Sequence, residues 1–325
     1  MRKNIYADLH NHTTASDGDL TPEELVQKMK SLGVSVVGVT DHDTDKGLRQ
    51  AIAEGRRIGV KVLPGVEISV RFKEDFFTGT VHLLCYFQPQ MLDNSLFSES
   101  LHNTLGKGRG DHLVRARADE INKFFGPKGK TPILKRELTF EEVVSYSPTV
   151  TRRHFALALT EQHGIENPDI VNKIIGNSSP AYLPSGVDIE SVKEFVNTIE
   201  NFCSSKEKNC FKNGNQLKKQ TPFMLVLAHP AAGSFPGEGH YKEVLPLIEI
   251  VERLFPRCLD AGISGIEINY PGHIKEHRDI LRQWALKYNL AITGGSDCHD
   301  AVIRPPGVEG ITKEEFEKYF YRILL

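Results

Sequence analysis

Histidine and acidic residues recur in short, tightly spaced groups along this 325-residue sequence. Asp8-Leu9-His10-Asn11-His12 is followed by Asp17, then by Thr40-Asp41-His42-Asp43, Glu67 and His82. Far along the chain come Ala228-His229-Pro230 and Gly294-Gly295-Ser296-Asp297-Cys298-His299. Imidazole and carboxylate together suit Zn²⁺, Mn²⁺ or Fe²⁺. The mixture is too rich in nitrogen for a dedicated Ca²⁺ or Mg²⁺ site. Nine candidates (His10, His12, Asp17, His42, Glu67, His82, His229, Asp297 and His299) exceed what one ion can use. Two or three ions bridged by a carboxylate are therefore implied. Such a cluster acidifies a bridging water and clamps the attacking and leaving oxygens of a phosphoryl group. Phosphoester hydrolysis is the first chemical expectation.

Taken singly, these residues say little. A lone strand histidine such as His82 is more often a packed or hydrogen-bonded core group, and Asp17 or Glu67 alone a cap or an ion-pair partner. His10-x-His12 is a stronger sign, because positions i and i+2 of an extended strand face one side. Their common position raises the whole set. Ile5–Leu9 and Val34–Val39 read as strands, and each runs into one of the groups. Strand-like runs at Val60–Leu63, Val66–Val70 and Val81–Phe87 carry Glu67 and His82. Phe223–Leu227 leads into His229, and Ala291–Thr293 into Asp297 and His299; Gly265–Asn269 is a further strand. Where parallel strands alternate with helices, strand C-termini share one face, and ligands collect there.

The helices between them are legible too. Thr21-Pro22-Glu23-Glu24 supplies a cap, a first-turn proline and a capping-box glutamate, followed by Leu25, Val26, Met29 and Leu32 at helical spacing and Gly33 as a stop. Lys46–Ile58, Tyr241–Leu254 and Ile274–Tyr288 carry the same periodicity. This rhythm makes the fold α/β with largely parallel strands. It breaks between residues 91 and 222, where helical patterns dominate at His112–Phe125, Phe140–Val144, Arg153–His163 and Ile189–Phe202. The expected organisation is a barrel domain of residues 1–90 and 223–325, interrupted by a helical insertion, 91–222, that ends in a lysine-rich loop, 203–222.

Charge is unevenly placed. The chain holds 40 Lys and Arg against 42 Asp and Glu, yet residues 101–153 carry 11 basic and 6 acidic residues, a local +5. That gives the insertion a basic face, although any single charge there is more often simply solvated. No apolar run approaches the roughly 18 residues of a membrane span. No signal peptide is expected, since Arg2 and Lys3 lead straight into the polar Asp8–His12 run. Five scattered cysteines without CxxC spacing suggest reduced thiols and a cytoplasmic location. Gly106-Lys107-Gly108 misses the spacing of a phosphate-binding loop, and Ser296 has no triad-like neighbours, so it reads as a turn residue.

The ordered set from Asp8-Leu9-His10-Asn11-His12-Thr13 through Ser16-Asp17-Gly18, Pro64-Gly65-Val66-Glu67, His82 and Ala228-His229-Pro230 to Ser296-Asp297-Cys298-His299 resembles the PHP (polymerase and histidinol phosphatase) family. The resemblance covers residues 4–87 and 223–300, and Arg152-Arg153-His154-Phe155-Ala156 extends it through the insertion. Within the family the chain looks like the branch of nucleoside 3′,5′-bisphosphate phosphatases and 5′-to-3′ exoribonucleases. The resemblance implies a distorted, TIM-like barrel of seven strands with a helical insertion, and a trinuclear centre of Mn, Fe or Zn ions. It implies that His10, His12, Glu67 and Asp297 hold the first ion, and that Asp17, His42 and His299 hold the second. Glu67 would bridge to a third ion held by His82 and His229.

An anionic substrate also needs positive groups. Arg115, Arg117, Arg152 and Arg153 lie on insertion helices, and the arginine fork suits bidentate phosphate binding. Arg117, Arg153 and His154 are expected on a non-scissile phosphate; His154 could instead protonate the leaving oxygen. Of the remaining histidines, His273, after Tyr270-Pro271-Gly272, is the one to watch. The expected activity is hydrolysis of a nucleotide phosphoester, a nucleoside 3′,5′-bisphosphate or short 5′-phosphorylated oligonucleotide, by in-line attack of a metal-bridging hydroxide. No membrane and no obligate protein partner are expected. The alternatives are a histidinol-phosphate type of metabolite phosphatase and a non-catalytic, metal-containing binding module.

Overall fold

The capping box read from the sequence opens the first helix, α1 (Pro22–Ser31). The Thr21 hydroxyl accepts from Glu24 N, the Glu24 carboxylate accepts from Thr21 N, and Leu25, Val26 and Met29 are buried. The computed structural model describes residues 5–206, 222–234 and 245–320. Most of the lysine-rich stretch, Cys210, His240 and the start of the expected 241–254 helix lie outside those residues.

Short strands β1 (Ala7–Asp8) and β2 (Val36–Val39) pair in parallel, and β2 pairs in parallel with β3 (Lys61–Glu74). The Val60–Leu63 and Val66–Val70 runs are thus one strand. Pro64 does not interrupt it, because pairing with β4 (Phe77–Phe87) begins at Gly65, so the missing N–H breaks no bond to that neighbour. A two-residue connection, Asp75-Phe76, joins β3 to β4, and so short a link permits only an antiparallel pair. The strands are largely parallel, as expected, and β4 is the exception, antiparallel to β3 and also to the strand on its other side. That neighbour is β6 (Phe223–Leu227), preceded in the chain by the two-residue β5 (Val187–Asp188) beside β3. Strands β7 (Gly265–Asn269) and β8 (Ala291–Gly294) restore the parallel arrangement.

Seven strands follow the order β1-β2-β3-β4-β6-β7-β8. The ring draws shut where the chain leaving β8 meets the chain leaving β1. Leu9 N donates to Gly294 O (3.1 Å), Asp297 N to His10 O (2.8 Å) and His12 N to Cys298 O (2.9 Å). The result is a near-closed barrel with helices around it.

The two largest of the apolar cores among the described residues are distinct. The larger joins the barrel helices to the strands and also takes in Phe97, Leu101 and Leu105 of α3 (Ser95–Gly106) and Ile189, Val192, Phe195 and Ile199 of α8 (Ile189–Lys206). Helix α3 is additional to the helices expected from the sequence, although Phe97, Leu101 and Leu105 stand at helical spacing; Asn94 caps it by accepting from Phe97 N. The smaller core, from Val114 to Ala181, is built by α4 (Asp111–Phe125), α5 (Phe140–Val144), α6 (Arg152–Leu157) and α7 (Pro168–Ile175). The segment expected as one helix over 153–163 is α6 followed by a π turn, Ala158–Gln162. Later helices are α9 (Ile248–Asp260), which runs six residues beyond the expected Leu254, and α10 (Lys275–Tyr288). Cys85, Cys203, Cys258 and Cys298 are free thiols.

Candidate metal centre

Every one of the nine candidates lies at the barrel rim. His10 and His12 follow β1, His42 follows β2, His229 follows β6, and Asp297 and His299 follow β8. Glu67 and His82 sit inside β3 and β4, because β4 runs the opposite way and brings its middle to the rim. Among the described residues, four other than glycine have positive φ. Asn289 ends α10, whereas Asp43 (49°), His229 (26°) and Asp297 (49°) belong to the rim. Backbone held in this region costs about 1–3 kcal/mol per residue and persists only where its surroundings over-determine it.

The side chains converge on Glu67, which is fully buried. Its Oε2 lies 3.3 Å from His10 Nε2, 3.1 Å from His12 Nε2 and 3.1 Å from His42 Nδ1. Its Oε1 lies 3.0 Å from both His82 Nδ1 and His229 Nε2. Asp297 Oδ1 stands 3.1 Å from His12 Nε2 and 3.5 Å from His10 Nε2. Asp17 reaches His299 Nε2 at 3.4 Å, His12 Nδ1 at 3.8 Å and His42 Nε2 at 3.9 Å. Three donor groups result, each with its ligand atoms within 4.8 Å of one another: His10, His12, Glu67 and Asp297; His12, Asp17, His42 and His299; and His42, Glu67 and His82. The resemblance puts His229 rather than His42 with the third group, and both imidazoles border Glu67.

Several of these atoms lie close to one another yet form no hydrogen bond. His12 Nδ1, His42 Nδ1, His82 Nδ1 and Glu67 Oε2 are buried and unsatisfied among the described residues. Buried polar atoms without partners are costly, and atoms about 3 Å apart but misaligned are arranged as ligands are around a shared centre. The electrostatics agree. Burial opposes charge on His10, yet Glu267, Glu67 and Asp297 hold its pKa well above the ordinary value. His12 is raised to about 10 against the same burial, through Asp297 and Glu67. Burial also opposes ionisation of Glu67, Asp17 and Asp297, but the surrounding imidazoles keep all three carboxyls well below their usual range. His42, by contrast, is lowered by burial to about 4. A set of buried carboxylates that draws positive charge onto imidazoles fits divalent cations in chemistry and in number of donors.

A supporting ring of residues escaped the sequence analysis. Glu267, inside β7, accepts from His10 Nδ1 (3.1 Å) and from His229 N (2.8 Å), which turns His10 Nε2 toward the cluster. The Tyr270 hydroxyl donates to Asp297 Oδ2 (3.1 Å), and Arg304 Nη1 lies 3.6 Å from the same oxygen. Asp41 accepts from Thr13 N (2.8 Å) and Ser16 Oγ (2.6 Å), fixing the loop before Asp17. Asp8 accepts from Ser296 N and Oγ, so Ser296 braces the turn that carries Asp297. His273 is satisfied by Ile268 O and Ala231 N, outside the cluster.

The expected substrate-side residues scatter. Arg153 reaches the cluster, with Nη1 donating to Asp17 O (2.8 Å) and His299 O (3.4 Å) and Nη2 to Asp19 (2.8 Å). His154 is buried, and its Nδ1 accepts from Thr151 N (2.8 Å), which leaves the proton on Nε2. Burial lowers its pKa against the pull of Asp17, and Arg153 and Arg109 lower it further. Arg152 donates to Asn177 (2.9 Å). Arg117 donates to Leu183 O, lies over Phe155 and lines a cavity of about 440 Å³ between the Asp43–Lys46 loop and the insertion; none of the nine residues lines it. Arg115 points elsewhere: it stacks 3.7 Å from the Phe140 ring centroid and pairs with Glu141 at 3.8 Å.

Known proteins complete the picture. The PHP domain profile matches residues 8–167. The 3′,5′-nucleoside bisphosphate phosphatase of Chromobacterium violaceum is 39% identical over 294 residues, covering 90% of this chain and 86% of that relative. A 5′-3′ exoribonuclease of Haemophilus influenzae is 24% identical over 298 residues, 90% of this chain and 89% of its own length. Among solved structures, a protein of Bifidobacterium adolescentis described as a metal-dependent phosphoesterase superposes with a TM-score of 0.70 at 23% identity, covering 99% of this chain and 98% of that one. With 39% identity to that bisphosphate phosphatase across 90% of this chain, and with the PHP domain profile over residues 8–167, the chain belongs to the PHP-domain family.

Proposed function

We propose that this enzyme hydrolyses a nucleotide phosphoester, a nucleoside 3′,5′-bisphosphate or the terminal linkage of a short 5′-phosphorylated oligonucleotide. The observation that carries the reading is the gathering of eight other metal-competent side chains about the buried Glu67 carboxylate at the barrel rim. The names of the two relatives support the nucleotide class. In this proposal His10, His12, Glu67 and Asp297 hold one ion, Asp17, His42 and His299 a second, and Glu67, His82 and His229 a third. Mn²⁺, Fe²⁺ and Zn²⁺ all suit the donors. Bound ions would acidify an attacking water and neutralise phosphoryl oxygens.

The chain's own residues supply the rest. Glu267 keeps the proton on His10 Nδ1, and Tyr270 and Arg304 hold Asp297 in place. Arg153, anchored to the carbonyls of Asp17 and His299, presents its guanidinium beside the cluster, where a non-scissile phosphate would meet it. His154, with its pKa lowered and Nε2 protonated, is a neutral hydrogen-bond donor. That favours phosphate binding over proton transfer to the leaving oxygen. Arg117 and Arg152, further out, would serve the distal part of the substrate. Among the described residues no helix is long and apolar enough to cross a membrane. The four free thiols suit the reducing cytoplasm.

The test is release of inorganic phosphate from a panel of nucleoside bisphosphates, with 5′-phosphorylated RNA oligomers alongside, after chelation and again after Mn²⁺ is added. Phosphate release that vanishes with chelator and returns with Mn²⁺ is the expected result; stepwise mononucleotide release would mark an exonuclease. Should His42→Ala and Asp297→Ala match the wild type on every substrate, the reading is wrong.

A further inference from the structure

Arg109 stands in the loop between α3 and α4, flanked by Gly108 and Gly110. It is neither one of the nine residues nor one of the four arginines singled out from the sequence, yet its fork spans both sides of the site. Its Nε donates to Asp43 Oδ2 (2.6 Å), Nη1 to the carbonyl of Val150 (2.6 Å) and Nη2 to Ser69 Oγ (3.2 Å). Asp43 is almost fully enclosed, with 1% of its side chain exposed, and Arg109 retains 19%. Water therefore competes little for this pair, and its geometry is firmly held.

Each acceptor leads to a part of the machinery. Asp43 follows His42, holds a φ of 49°, donates its N–H to Glu67 O (2.9 Å) and accepts from Ser69 N (2.8 Å) on its other oxygen. Val150 immediately precedes Thr151, the cap of the helix that carries Arg153 and His154. The loop that carries Arg109 is itself tightly seated. A Cβ on Gly108 would meet the backbone of Gly186 and Val187 at 2.4 Å, and one on Gly186 would meet Ser69 O at 2.2 Å.

We propose that Arg109 is a positioning residue, which sets the Thr151–Leu157 helix in register against the His42–Glu67 side of the metal cluster. The inference rests on the phosphoesterase reading above. One planar guanidinium fixes three acceptors at once, which the single-point ammonium of lysine does not. Displacements of about 1 Å between catalytic and binding groups cost on the order of 100-fold in rate.

Arg109→Ala is expected to keep the wild-type metal content by elemental analysis. Its kcat/KM for a nucleoside 3′,5′-bisphosphate should fall by about 100-fold. Its selectivity for that substrate over p-nitrophenyl phosphate, which lacks a second phosphate, should fall at least about tenfold. Guanidine added to the alanine variant should restore part of the loss, and Arg109→Lys should recover less than about tenfold. Hydrogen exchange gives a readout that needs no activity: amides of residues 150–155 should lose protection in Arg109→Ala.

Wild-type kinetics in either variant, or an equal loss on both substrates together with loss of metal, overturns the proposal. Unchanged exchange at residues 150–155 does so as well, even if the wild type hydrolyses nothing on the panel; that inertness would sink the phosphoesterase reading separately. If Arg109→Ala does not fold, Arg109→Lys, which keeps the charge beside Asp43, decides by the same measurements.

Discussion

Around Glu67, six imidazoles and two further carboxylates turn their polar edges toward one another. Across the cleft, four insertion arginines turn away from one another, and each is fastened to its own neighbour. The first arrangement leaves buried atoms unsatisfied and residues in costly backbone conformations; the second leaves almost every guanidinium with a carbonyl, an amide or a ring. The difference teaches where a shared ligand is expected. Residues that forgo bonds with their neighbours and tolerate strain point to a common occupant, whereas charges already paired locally describe a surface. Of these four arginines, Arg153 alone is bonded to the backbone of two cluster residues and joins the regions, as Arg109 does from its own loop.

The contrast can be broken most forcefully at the cluster. Asp17→Asn should lower kcat/KM on a bisphosphate on the order of 10³-fold, measured by phosphate release in Mn²⁺. A loss below tenfold would mean that Asp17 is an ordinary buried acid. One layer out, Glu267→Gln should weaken metal binding by about 10–100-fold, read by metal titration of the stripped protein. An unchanged affinity would demote the His10–Glu267 bond to packing. On the insertion, Arg153→Ala should raise KM by about tenfold for bisphosphates and less for monophosphates, since one charge-assisted hydrogen bond to the second phosphate is lost. Equal effects would exclude a phosphate contact. The smallest effect belongs to Arg115→Ala. Its pairing with Glu141 is solvent-exposed, so kinetics within about twofold of wild type are expected, and a tenfold loss would show that the basic face does more than meet water.

The sequence exposes most of this layout because topology and ligand chemistry constrain each other. A histidine or an acid after a β-branched run is at a barrel rim almost wherever such a strand is placed. The antiparallel course of β4 is not legible, as Asp75 is followed by Phe76 and not by the glycine that marks a tight hairpin turn. Helix α3 could have been read, since its buried Phe97, Leu101 and Leu105 stand at i, i+4 and i+8 behind the Asn94 cap, with polar Ser98, Glu99, His102 and Asn103 between them. Glu267 could have been found, for Ile266-Glu267-Ile268 repeats the pattern of Val66-Glu67-Ile68, an acid between apolar residues of a buried strand. Arg109 gives no such sign. A long, flexible side chain chooses partners from distant parts of the chain, so neither its neighbours in sequence nor the local charge balance foretells them. For the same reason the insertion's +5 did not distinguish Arg153 from Arg115.

The seam where the chain leaving β8 meets the chain leaving β1 has a consequence for biosynthesis. Asp297 and His299 emerge from the ribosome 287 residues after His10 and His12, and the backbone bonds that hold them against the β1 end cannot form before then. At ordinary elongation rates that interval lasts on the order of tens of seconds. Throughout it, a nascent polypeptide offers scattered imidazoles to any soft cation nearby, without the enclosure that would select among them. An ion that needs ligands from both ends of this set would be enclosed only once Asp297 and His299 have emerged.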